Sequence, residues 1–166
     1  DVKATFALSG GQPRSVSSRL PDGFAASLSA RPLCSLADAE AGTCAATSEI
    51  GDASLTVDLF GGGSETGTGK LYLTDSPTSQ DAAGVAGEID FSFGKLIAVG
   101  GAFLVNNGKN QYLTLREIPQ QVGTTQINAK TLVTDIKGTD GFLTTPSNCS
   151  AASAWTTGPG SARPEV

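Results

Sequence analysis

The chain has 166 residues, with 11 Lys and Arg against 16 Asp and Glu, and only 16% of its residues are charged. It contains no His, which excludes Ser-His-Asp and Cys-His nucleophile pairs and His-ligated zinc. The net charge of −5 leaves no basic surface of the kind that binds nucleic acid or anionic membranes. With 21 Gly and 6% aromatic residues, the composition is typical of one domain of short strands joined by tight turns.

No apolar run approaches the roughly 18 residues of a membrane span, so we predict no membrane insertion. The chain opens at Asp1 on an alternating pattern without a signal peptide, which predicts either a cytosolic protein or an already mature secreted one. Cys34 and Cys44 would close a loop of about eleven residues, worth roughly 2–3 kcal/mol if bridged. Two free buried thiols are the alternative. We interpret the cysteines as favouring a secreted, oxidised protein.

The first predicted strand has an apolar residue at every second position: Val2, Ala4, Phe6 and Leu8. This period predicts a half-buried strand and an N-terminal arm able to pair with another copy. A second strand over residues 16–20 ends at the β-turn signature Pro21-Asp22-Gly23.

The segment from Ser35 to Ala41 is the only predicted helix. Ser35 can cap its first turn, Asp38 follows three residues later as in a capping box, and Gly42 ends it. The helix lies between the first two cysteines and is too short to persist alone.

The middle of the chain contains two clearly alternating strands. From Asp52 to Leu59, every second residue is apolar, and the segment from Gly61 to Gly69 is interpreted as a flexible loop. Leu71 to Leu73 is a short predicted strand. In the second alternating strand, Val85, Gly87, Ile89, Phe91 and Phe93 share one face, with Glu88, Asp90 and Ser92 opposite.

A hairpin is predicted over residues 101–117. A two-residue turn at Asn107-Gly108 would pair Phe103 with Tyr112. A three-residue loop with Gly108 left-handed instead puts Leu113 and Leu115 on the same face as Phe103, and we prefer it.

Weaker strands follow at residues 124–136, 141–144 and 151–157. We expect the Pro- and Gly-rich tail to be disordered unless it lies against something, for which a neighbouring copy is one candidate. The sequence therefore predicts an all-β chain: one antiparallel β-sandwich domain over residues 1–157, Ig-like or jelly-roll-like, and a tail over residues 158–166.

One pattern runs through the first third of the chain: Leu-Pro-x-Gly at residues 20–23, then a Cys, a short Ala-rich helix, and Gly-x-Cys-x-Ala-x-Ser-x-Ile-Gly ending at Gly51. Together with Gly69 to Leu73, Glu117 to Gln120 and Phe142 to Cys149, this pattern resembles a repeated extracellular domain of large secreted actinobacterial proteins. The resemblance implies a secreted β-rich module with Cys34 bridged to Cys44, and it brings no catalytic residues.

The sequence departs from that family at Cys149, because no further cysteine follows it. An intermolecular disulfide, a buried free thiol, or a partner lost from a longer precursor would each account for this residue.

Three other groups of residues are candidate sites. Acidic residues such as Glu88 and Asp90 could pair as in glycosidases or bind Ca²⁺, but alternating strands place acids on the solvent face in any case. Ser92-x-x-Lys95 lies on a strand, where the two side chains point to opposite faces. Exposed aromatic rings could form a glycan platform, with Tyr72, Tyr112 and Trp155 as its members.

The sequence accordingly predicts no enzyme activity, no cofactor and no metal site. We expect a secreted or cell-surface structural protein: a subunit of an extracellular fibre or layer, or a module of an adhesin. Its partners would be copies of itself or neighbouring modules of the same surface protein, joined as a filament or other homo-oligomer through strand edges and terminal arms. The alternative is a carbohydrate-binding module.

Overall fold

The computed structural model describes residues 2–8, 13–19, 25–105, 110–138, 141–144 and 156–159. Within them the chain is mostly β, with one α-helix, α1 (Leu36–Ala41), and a 3₁₀ turn at Ala46–Ser48. The strands are β1 Val2–Ala7, β2 Val16–Arg19, β3 Ala25–Ala26, β4 Glu49–Leu59, β5 Ser64–Thr74, β6 Ala83–Phe91, β7 Gly94–Val105, β8 Asn110–Leu115, β9 Gln121–Val122, β10 Thr125–Ile136, β11 Leu143–Thr144 and β12 Thr156–Pro159.

Ten of the strands form one curled antiparallel sheet in the order β1-β10-β4-β5-β6-β7-β8-β2-β12, with β9 also pairing β10. The remaining two, β3 and β11, form a separate two-stranded sheet. The prediction of an antiparallel β-rich chain with one short helix is confirmed. The predicted domain boundary at residue 157 falls inside β12, and residues 160–166 of the predicted tail lie outside the described residues.

The main core lies on the inner face of the curled sheet. Strand β4 shows why: Ala53, Leu55 and Val57 are buried, whereas the alternate residues Asp52 and Ser54 are half-exposed. This follows the predicted alternation, because residues two apart on a strand face the same side. Phe6, Leu71, Ile89, Leu96 and Leu132 from other strands complete this core with further aliphatic side chains.

The prediction of a flexible loop from Gly61 to Gly69 is wrong for most of that segment. Only residues 60–63 turn, with Gly62 and Gly63 at φ 94° and 90°, and β5 begins at Ser64. Gly67 and Gly69 lie within the strand, where β6 passes very close. A Cβ at Gly69 would collide with the carbonyl oxygen of Glu88. These two glycines therefore permit close strand approach rather than flexibility.

The β7–β8 hairpin forms, but our preferred register for it is wrong. Phe103 pairs with Tyr112, Ala102 with Leu113 and Gly100 with Leu115, which is the register of the two-residue alternative. Each leucine of β8 thus lies opposite a small residue of β7, and a Cβ at Gly100 would collide with backbone on β8. The preferred three-residue loop would put Leu113 and Leu115 on the same face as Phe103. The observed register puts them on the face of Ala102 and Gly100, where the small residues of β7 leave room for the two leucines.

Candidate functional site

Helix α1 lies inside a disulfide-closed loop on the outer face of the sheet. Cys34 and Cys44 are bonded, with their Cα atoms 5.5 Å apart. The backbone N–H of Asp38 donates to Ser35 Oγ at 3.1 Å, and Gly42 ends the helix at φ 67°. The predicted cap, helix and stop are confirmed, and the disulfide is the one that the resemblance implies.

The loop is fastened to the sheet by packing and by backbone hydrogen bonds. Ala39 of α1 and Ala86 of β6 are fully buried in one small apolar cluster. Both cysteines of the disulfide belong to the same cluster. The Cys34 N–H donates to the carbonyl of Leu73 at 2.9 Å, and the Asp75 N–H donates to the carbonyl of Cys34 at 3.0 Å. Part of the outer face is therefore covered by a helical layer.

This layer buries Glu88, which the sequence had placed on the solvent face. Its side chain is 8% exposed, and Lys95 Nζ donates to Oε2 at 3.2 Å. That hydrogen bond raises the pKa of Lys95 above its ordinary value. The other carboxylate oxygen, Oε1, is buried without a hydrogen-bond partner among the described residues. Asp90, two residues on, is 68% exposed, so the two carboxylates occupy different environments rather than forming a matched pair.

Ser92 and Lys95 do not form a nucleophile pair. Ser92 Oγ donates to the carboxylate of Glu65 at 2.8 Å, while Lys95 donates to Glu88. Each partner is therefore held by a different carboxylate.

A second acid, Asp81, is also buried. Its side chain is 0% exposed. Arg116 donates two hydrogen bonds to its carboxylate, from Nη1 to Oδ2 at 2.9 Å and from Nη2 to Oδ1 at 2.7 Å. Thr78 Oγ1 donates to Oδ2 at 2.6 Å. Arg116 lies 35 residues away in the sequence, so local patterning carries no signal for this pair.

The outer face also carries a half-exposed group of two lysines and two acids. Lys70 Nζ lies 2.9 Å from Glu49 Oε1 and 2.7 Å from Asp52 Oδ1. Lys137 contacts the same two carboxylates at 3.3 and 3.0 Å. Hydrogen bonds from Lys70 lower the pKa of both acids, and those bonds raise the pKa of Lys70. The charges balance within the group, which suits a structural role.

The predicted N-terminal arm is an integrated edge strand. Ala4, Phe6 and Leu8 pack against the protein's own core, Val2 lines the space inside the sheet, and Phe6 is 7% exposed. Within the described residues β1 pairs with β10 alone and forms one edge of the sheet. The side chains of the arm thus serve this fold, and only its backbone edge faces outward.

Of the predicted glycan platform, the structure describes Tyr72 and Tyr112 and does not place them side by side. Tyr72 on β5 and Tyr112 on β8 are separated by β6 and β7, about 14 Å at the usual strand spacing. Tyr72 is half-buried, and this burial raises the pKa of its phenol. Trp155 and Cys149 lie outside the described residues, as does the Pro21-Asp22-Gly23 turn.

The part of the chain that the structure describes contains no group of three or more Cys, Asp or Glu placed to hold a metal ion. It also contains no helix long and apolar enough to cross a membrane. Comparison with known proteins found no matching family model, no matching curated protein and no matching solved structure.

Proposed function

We propose that this chain is a secreted or cell-surface structural module, a subunit of an extracellular fibre or layer or a module of an adhesin. In this role it joins other copies through the edges of its sheet. The disulfide supports an extracellular setting, because such bonds persist in oxidising compartments.

The backbone of β1 is the observation that carries this proposal. The Leu8 N–H donates to the carbonyl of Lys130 on β10, which fixes which residues of β1 bond inward. In an antiparallel pair, residues alternate between bonding to the partner strand and pointing their N–H and C=O groups away from it. Ala4 and Phe6 therefore bond to β10, and Lys3, Thr5 and Ala7 present their backbone groups outward. Three consecutive outward positions make a site for strand addition.

The opposite edge of the sheet is β12, which pairs only with β2 among the described strands. A contact between β1 of one copy and β12 of the next is heterologous, and such contacts build open filaments when their rotation does not close a ring. We also propose that the curled sheet is a sandwich of the Ig-like or jelly-roll-like type. Leu8 from one end of the sheet and Leu115 from near the other line the same interior space, which supports this.

A pair of proline substitutions tests the edge contact. Thr5→Pro removes an outward N–H and leaves the pairing with β10 intact, whereas Ala4→Pro removes an inward N–H and should destabilise the fold. We expect the wild type to form oligomers whose mass by light scattering rises with protein concentration. Thr5→Pro should remain monomeric with a nearly unchanged unfolding midpoint, and the control Thr5→Ala should still assemble.

Electron microscopy of concentrated wild-type protein checks the form of the assembly, for which filaments or sheets are expected. A wild type that stays monomeric at millimolar concentration contradicts the proposal. So does a folded Thr5→Pro variant that assembles as well as the wild type.

A further inference from the structure

An apolar cavity of about 140 Å³ lies inside one end of the curled sheet. Leu73, Val85, Leu113 and Ile136 form its walls from four strands of the main sheet. The two-stranded β3–β11 sheet lines one side through Ala26 and Leu143, together with Phe142 just before β11.

The lining determines which chemistry fits. No charged side chain lines the cavity among the described residues, and its polar lining residues there are Gln111 and Tyr112, neighbours on β8. Of these two, Gln111 shares the face of the core-packed Leu113, so its side chain is the one that the strand directs inward. Burying an ion in such a space would cost several kcal/mol without a counter-charge, so a charged ligand is disfavoured. One small uncharged polar group can be placed beside β8.

The volume sets the size of the ligand. An aliphatic cavity of about 150 Å³ stays dry and accepts a six-carbon hydrocarbon such as benzene. The cavity here has nearly the same volume and a similar lining. It is too small for a long lipid chain and too apolar to hold several waters with their hydrogen bonds satisfied.

We propose that this cavity is a binding site for an uncharged molecule with an apolar part of about six carbons and a single hydroxyl-sized polar group. The apolar part packs between Leu73, Val85 and Phe142, and the polar group lies against Gln111. The proposal is independent of the assembly function, since the cavity lies inside the sheet and β1 contributes only Val2 to its lining.

Titration of the full chain with 1-hexanol, followed by NMR chemical shifts of the lining residues, tests the proposal. We expect saturable one-to-one binding by 1-hexanol and at least tenfold weaker binding by hexanoate, which has the same chain length and a charged head. Ala102→Leu places a larger side chain at the cavity wall and should weaken hexanol binding at least tenfold. The matched control Ala37→Leu, on the exposed side of α1, should leave hexanol affinity unchanged.

A second variant keeps the test decisive if Ala102→Leu does not fold. Leu113→Ala enlarges the cavity and should raise the affinity for 1-octanol relative to 1-hexanol. Equal binding of hexanol and hexanoate overturns the proposal, as does an Ala102→Leu variant that folds and keeps wild-type affinity. Binding that is seen only in Trp155→Ala also overturns it, because the chain's own residues 145–155 would then be the occupant.

Discussion

The buried pair of Asp81 and Arg116 gives the sharpest stability prediction. Replacing Arg116 by Met removes both hydrogen bonds to a carboxylate whose side chain has 0% exposure, and leaves that charge with Thr78 as a remaining donor. Breaking a buried ion pair in this way costs about 3–5 kcal/mol. Because the Arg116 side chain is 26% exposed, we expect the lower end of this range, about 3 kcal/mol of unfolding free energy.

Urea denaturation followed by circular dichroism measures this loss, and a matched series separates charge from geometry. Arg116→Lys keeps the charge but loses the two-pronged contact, and should cost about 1–2 kcal/mol. The double variant Asp81→Asn with Arg116→Met removes both charges of this pair, so it should be more stable than Arg116→Met alone.

Two results would refute this reasoning. One is an Arg116→Met variant within about 0.5 kcal/mol of the wild type, the range of ordinary surface substitutions. The other is a double variant that costs the sum of the two single changes, since independent sites add and coupled ones do not.

Three further predictions concern the outer face. Replacing both Cys34 and Cys44 by Ser should lower the unfolding free energy by about 2–3 kcal/mol. The urea midpoint should fall accordingly, and added reductant should no longer change it. An unchanged midpoint would contradict a stabilising role for the disulfide. Hydrogen bonds lower the pKa of Glu49 and Asp52 below their ordinary values of 4.5 and 3.8, so their contribution is present above those values and is lost as the pH falls further. Melting temperatures measured from about pH 6 to pH 3 should therefore fall less steeply in Asp52→Asn, and an equal slope would exclude this cause. Gly42→Ala forces alanine into a left-handed backbone conformation, and its Cβ would lie 2.9 Å from the side chain of Ile97. We therefore expect the unfolding free energy in urea to fall by about 1–2 kcal/mol. An unchanged unfolding free energy would contradict this reasoning.

Those parts of the fold that depend on neighbouring residues could be predicted from the sequence. The alternation from Asp52 to Leu59 gave β4, because one face of that strand meets the core and the other meets water. Helix α1 was equally readable, since its cap at Ser35 and its stop at Gly42 act within a few residues.

The features that sequence reasoning missed depend on what passes over or beside a strand. Glu88 occupies a position that alternation assigns to solvent, but a helix from another part of the chain covers it. Gly67 and Gly69 indicate a loop in the sequence, whereas in the structure they lie in a strand that β6 approaches closely. Asp81 pairs with Arg116, 35 residues further along the chain, and a periodic pattern of neighbouring residues cannot predict a contact at that separation.

The way Cys34 is held has a consequence for local opening. Its backbone is hydrogen-bonded on both sides to the end of β5, so reduction of the disulfide would release the loop from the Cys44 end while Cys34 stays attached. Amide hydrogen exchange should therefore become non-uniform on reduction. The Ala39 N–H, bonded only within the helix to the carbonyl of Ser35, should exchange faster, whereas the N–H of Cys34 should remain protected with the sheet. Reduction would thus increase local opening of helix α1, while the strands beneath it stay hydrogen-bonded.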